Sequence, residues 1–167
     1  MAKLIENGYG QLELNQVAFR RDGRIIAQYK LAIDKAENGM LLAVDHVNKT
    51  IGYPTAGQVK GLALNYTTEH MYDERLVHGL KHFVVEKDGV LPRLGILAEG
   101  DRFTTNAVEY TGELDALKAA IAGGTVYGHA GANGYIVVDE AEENAVLKAI
   151  EYTTMPDGQA AIKFVAL

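Results

Sequence analysis

The chain has 167 residues, a formal net charge of −6 and no cysteine, serine or tryptophan. That length suits one domain, or one domain with an appended arm, and can bury roughly two-thirds of its unfolded surface without crosslinks. The missing cysteine excludes disulfides, thiolate chemistry and cysteine-based zinc sites, and the missing serine excludes the Ser-nucleophile hydrolases. The negative balance argues against nucleic acid as a partner, because phosphate recognition needs clustered Lys and Arg. The opening MAKLIENGYG has no signal-like apolar core. No apolar run approaches the roughly 20 residues that span a bilayer, so no membrane contact is expected and synthesis is expected in the cytoplasm.

Taken in order, the first ten residues read as an extended arm with Gly8 and Gly10. Residues 11–33 read as a hairpin. Val17 and Phe19 alternate with polar neighbours, Arg21-Asp22-Gly23-Arg24 intervenes, and Ile25, Ala27, Tyr29, Leu31 and Ile33 alternate again. Asp-Gly between alternating runs is a strong hairpin cue, because both residues tolerate positive φ. Leu12 and Leu14 sit on the other parity, which predicts a bulge near Asn15-Gln16. The expected division is therefore an arm and hairpin over residues 1–36, followed by a β-rich domain over 37–167.

Residues 38–66 form the expected scaffold, with two short apolar runs separated by a polar turn at Asn48-Lys49 and a break at Tyr53-Pro54. Residues 67–81 are polar and read as a long contact-making loop. A second Asp-Gly turn, Asp88-Gly89, predicts a middle hairpin between 82–86 and 90–98. One short helix is expected over about residues 113–122, capped by Thr111, with Glu113 and Asp115 in its first turn and Gly123-Gly124 as its stop. Leu114, Leu117 and Ile121 supply its apolar face. Residues 145–167 predict a closing hairpin around Met155-Pro156-Asp157-Gly158. The fold class is mainly β, a compact barrel or meander with hairpins and one short helix.

Chemistry-bearing patterns are few. The stretch 128–134 spaces glycines as G-x-x-G-x-x-G, but a phosphate loop needs a helix N-terminus behind it. Here a strand-like run follows and no Lys or Arg lies within, so a flexible surface loop is the preferred reading. His70, His78 and His82, with Glu74, could form a metal set only on a helix that Gly79 interrupts. The preferred reading is a solvated loop, with no catalytic, cofactor or metal residue assigned. His46 and His129 look isolated. Glu13, Glu99, Asp101 and Glu109 are pairings any acidic chain offers, with Asp101 suited to satisfying turn donors.

The segments GMLLAVD, GYP, VKGLALNY, LPRLGILAEGDRFTTNAVEY and AVLKAIEYTTMPDGQAAIKFVAL, in that order, resemble small β-rich proteins of tailed bacteriophages. The resemblance covers roughly residues 38–110 and 145–167. It implies a capsid decoration, or cement, protein that binds the outside of the major capsid shell and stabilises it. It also implies a homo-oligomer, with a trimer favoured, located on the virion and made in the host cytoplasm. The alternative within virion structure is a tail or head–tail component; a metal-dependent hydrolase ranks below both. Under this reading the contacts to the major capsid protein are expected from the arm (Leu4, Ile5, Tyr9), the first hairpin tip (Arg20, Arg21, Arg24) and the 67–81 loop (Met71, Tyr72, Arg75).

Overall fold

The structure, a computed structural model, describes residues 1–67 and 79–167. Among the described residues the chain forms sixteen strands and one α-helix, so the mainly β class is correct. No helix among them is long and apolar enough to cross a membrane.

Eight strands make the larger sheet. In spatial order these are β1 (Ala2–Lys3), β12 (Val108–Tyr110), β14 (Ile136–Asp139), β13 (Tyr127–Ala130), β15 (Leu147–Thr154), β16 (Ala160–Ala166), β11 (Arg102–Thr105) and β2 (Leu12–Gln16). Strands β11 and β12 are consecutive in the chain yet five places apart in the sheet. Residues 102–110 thus form one bent segment that pairs at one end with β16 and β2 and at the other with β14 and β1. The sheet rolls up through this bend, while its edges β1 and β2 stay unpaired with each other. Among the described residues no closed barrel forms.

The bend is made of polar side chains that replace ladder hydrogen bonds. Thr105 Oγ1 donates to Gln11 O at 2.7 Å and accepts from Ala107 N at 3.0 Å; Asn106 Oδ1 accepts from Gln11 N at 2.7 Å. Thr105, Asn106 and Ala107 are all fully buried, so each backbone group lost to the bend needs such a partner.

The second sheet has six strands, in order β3 (Ile25–Ile26), β10 (Leu94–Gly95), β8 (Leu62–Asn65), β6 (Leu41–Asp45), β7 (Thr50–Gly52) and β4 (Lys30–Leu31). The expected meander is present as β7-β6-β8, with the polar turn closed by Lys49 at φ 54°. Strand β6 is buried on both faces. Leu41 joins the core inside the rolled sheet with Phe103, Ile136, Leu147 and Phe164, whereas Leu42 joins a second core with Ile51, Ala63 and Leu94. A two-stranded ribbon, β5 (Lys35–Ala36) and β9 (Val85–Glu86), adds Ala36 and Val85 to that second core.

Two expected hairpins do not form. The Asp22-Gly23 turn exists, with Arg24 N on Phe19 O at 2.9 Å and Gly23 at φ 71°, but β2 pairs with β11 while β3 pairs with β10. Phe19 is fully buried against Tyr66, and its ring lies so close to Gly95 that any Cβ there would collide with it. Burying that ring sends the chain from one sheet to the other. The Glu86–Gly89 turn likewise exists, but β9 pairs with β5 and β10 pairs with β3 and β8. The predicted bulge at Asn15 is present, and the closing hairpin β15–β16 forms with Gly158 at φ 87°. Residues 1–36 are spread over all three sheets, so the expected boundary after 36 separates no sheet from another.

The helix α1 (Leu114–Ala122) packs Leu117 and Ile121 into the first core and ends at Gly123 and Gly124, the latter at φ 72°. Its cap residue is Glu113, with no side-chain cap bond; Gly112 at φ 84° turns the chain after Thr111 and removes Thr111 from the cap position.

Gly39 sits at φ 83°, and a Cβ there would overlap the Thr105 hydroxyl. Gly39→Ala is therefore expected to cost on the order of 3 kcal/mol, read as a lower urea midpoint with an unchanged m-value.

Candidate functional site

The expected contact residues divide sharply by environment. Leu4, expected at a partner interface, is a core residue: it is 2% exposed, and its N–H donates to Val108 O at 3.1 Å. The two-residue strand β1 ends beside it, and a small apolar side chain at that edge fills the rolled core. Ile5 packs partly buried against the second core. Tyr9 is half-buried, with Lys35 Nζ 5.0 Å from its ring centre and its N–H on Lys81 O at 2.8 Å. Arg20 and Arg21 are exposed and Arg24 is half-buried; Arg21 and Arg24 both pair with Asp22 across the tip, at 2.9 and 3.5 Å. Met71, Tyr72 and Arg75 lie outside the described residues, as do His70, His78 and Glu74 of the metal reading.

Three buried polar side chains hold the backbone of Glu6, Asn7, Gly10 and Ala18 in place. Glu37 Oε2 accepts from Gly10 N at 2.8 Å, and its Oε1 accepts from the Tyr135 hydroxyl at 2.8 Å. Burial and that bond to a carboxylate both push the Tyr135 hydroxyl pKa up, so it remains a donor. Asp101 Oδ1 accepts from Ala18 N at 2.6 Å, and Oδ2 from Ala98 N at 2.9 Å, which fixes the approach to the Arg20–Arg24 tip. Gln159 Oε1 accepts from Glu6 N and Asn7 N at 2.8 and 3.0 Å, while its Nε2 donates to Asn7 O and to Asp157 Oδ2. Asp157 Oδ2 also accepts from Gln11 Nε2 at 3.0 Å and lies 3.9 Å from Lys81 Nζ.

The glycine-rich stretch is not the flexible surface loop expected. Gly128, His129 and Ala130 belong to β13, and the reversal is a tight turn over 131–134, with Gly131 N on Tyr135 O at 3.0 Å and Gly134 N on Gly131 O at 2.9 Å. A side chain at Gly131 would strike Tyr135 O, and Gly134 has φ 84°, so this turn needs glycine at both positions.

Beside that turn lies a cleft of about 540 Å³ between the sheet face, the turn, the 139–144 loop and Ala56-Gly57. Lys3, Glu109, Val137 and His129 stand in one row across β1, β12, β14 and β13. His129, 8% exposed, directs Nε2 to Asp139 Oδ1 at 3.1 Å and to Ala141 O at 3.0 Å; two acceptors on one nitrogen require that Nε2 carries the proton. Glu109, 5% exposed, accepts from Asn133 Nδ2 at 2.8 Å and has Lys3 Nζ at 3.7 Å. Lys3 Nζ also stands 3.7 Å over the Tyr135 ring. No cluster of three metal-ligating side chains occurs among the described residues.

Sequence reading passed over this cleft. Its one local signal is Glu109 on the same parity as Phe103, Thr105 and Ala107, a carboxylate on an otherwise uncharged face. Comparison with protein-family models, with curated proteins and with solved structures finds no match.

Burial pushes the Asp157 carboxyl pKa up, but the hydrogen bonds from Gln159 and Gln11 and the nearby Lys81 outweigh it, and the net pKa is lowered. The stability this contributes is therefore complete above the ordinary carboxylate range and is lost as pH falls through the lower folded value. Urea midpoints measured from neutrality down to about pH 3 should fall less steeply for Asp157→Asn than for wild type, with the variant about 1–2 kcal/mol less stable at neutral pH.

Proposed function

We propose that the chain is a virion structural protein that binds the outside of a major capsid shell and stabilises it as a small homo-oligomer. The observation that carries this reading is the clamping of residues 6–18 by Glu37, Asp101 and Gln159. Buried side chains spent on backbone donors of surface segments hold those segments in one shape before any partner arrives, which lowers the ordering cost of binding. The resemblance of residues 38–110 and 145–167 to small β-rich phage proteins supplies the partner.

Of the expected contacts, the first hairpin tip stays on the surface. Leu4 serves the core, whereas Arg20 and Arg21 are exposed and Arg24 is half-buried at that tip. Arginine suits such a surface because its guanidinium pairs with carboxylates in a fixed geometry. Exposed Val90 and Leu91, 41% and 50% accessible in the 87–93 segment, add apolar area. Single contacts of this size are modest, and repetition of a symmetric oligomer on a symmetric shell multiplies them into avidity.

Purified protein added to capsids stripped of it should bind saturably and raise their resistance to heat. The combined variant Arg20→Glu and Arg21→Glu should weaken that binding by about tenfold or more without lowering its own thermal midpoint. Absence of binding to the capsid would overturn the proposal, and label density at the tail in electron micrographs would move the protein to a tail or head–tail role.

A further inference from the structure

At the edge of the cleft, Lys3 joins the lining residues Glu109 and Asn133 at one carboxylate oxygen. Lys3 Nζ lies 3.7 Å from Glu109 Oε1, and Asn133 Nδ2 donates to the same oxygen at 2.8 Å. Asn133 Oδ1 accepts the Tyr135 backbone N–H at 3.2 Å. Each contact alone is an ordinary ion pair or hydrogen bond. Together they place an amine, a carboxamide and a buried carboxylate shared between them, which are the nucleophile, acyl donor and proton carrier of an acyl transfer. The Tyr135 N–H already points at the carbonyl oxygen on which negative charge would develop.

We propose that Lys3 and Asn133 form an intramolecular isopeptide bond, with Glu109 as the catalytic acid–base residue. Glu109 takes one proton from the Lys3 ammonium. The freed Nζ attacks Asn133 Cγ, and the tetrahedral oxyanion is held by the Tyr135 N–H. Glu109 returns its proton to Nδ2, the Cγ–Nδ2 bond breaks, and ammonia leaves through the cleft, taking the second proton from Nζ to depart as ammonium. A lysine ammonium and a carboxamide become a secondary amide and ammonium, with no redox change and no further reactant.

The position of the link gives it a use. Among the described residues strand β1 is a two-residue edge of the larger sheet, paired with β12, and the bond would join it covalently to the turn entering β14. In a chain without cysteine this closes a long loop that disulfides cannot close. The proposal stands on the cleft alone and does not depend on the capsid reading.

Intact mass spectrometry of the denatured full chain tests it. Wild type should weigh less than its sequence by one ammonia, while Lys3→Arg and Glu109→Gln should keep the full mass; removal of the initiator methionine would shift all three equally. Digestion should release a branched peptide containing both Lys3 and Asn133. The thermal midpoint of Lys3→Arg should fall by about 10 °C, with an unchanged far-ultraviolet spectrum confirming that it folds. Full unmodified mass in wild type after prolonged incubation would overturn the proposal. So would ammonia loss that persists in Lys3→Arg, which would instead mark a succinimide formed by the backbone at Asn133-Gly134.

Discussion

The bend at Thr105, Asn106 and Ala107 is the constraint on which the rest of the architecture depends. A single extended segment serves both ends of the rolled sheet, so its two halves must part company within two residues. In that fully buried place the Thr105 hydroxyl satisfies the Ala107 N–H, and the Thr105 and Asn106 side chains bind the backbone C=O and N–H of Gln11. Two glycines make room for the bend. Gly39 passes directly over the Thr105 hydroxyl, and Gly10 passes against Ala107 and Asn38. The six-stranded sheet then continues from Gly39 into β6, whose alternate leucines knit the two cores together. Displacing the bend would therefore disturb both cores at once.

Much of the fold was legible because local patterning and tertiary pairing agree where the chain pairs with itself nearby. The closing hairpin, the 38–66 meander and the short helix are of this kind, and the Asn15 bulge showed as a parity change although its partner strand β11 is distant in sequence. The two failed hairpins have a common cause. Both Asp-Gly turns form, but a turn decides only the reversal of direction, and strand partners are chosen by which apolar groups need burial. Phe19 takes its place against Tyr66 and Gly95 across sheets, a demand that alternation within residues 11–33 does not express. Leu4 misled in the same way: an apolar residue in a glycine-flanked arm reads as exposed until the edge it completes is known.

The cleft was illegible for a different reason. Lys3, Glu109, His129 and Asn133 are far apart in sequence and become neighbours only because β12 and β14 run parallel, joined by α1 and β13, with β1 added at the edge. Buried polar side chains recur throughout the molecule. Glu37, Asp101 and Gln159 tie surface backbone to the sheets, while Asp157 gathers the Gln11, Gln159 and Lys81 side chains. Glu109 likewise holds two side chains, a lysine amine and an asparagine carboxamide brought from separate strands and turns to one carboxylate oxygen.

Hydrogen exchange at the bend is the most direct test of this account. The amides of Gln11, Ala107 and Ile136, all donating at or beside the bend, should exchange only through global unfolding, with opening free energies equal to the stability from urea melts. Exchange of these three amides at the rate of frayed edge strands, in a molecule whose global stability is intact, would contradict it.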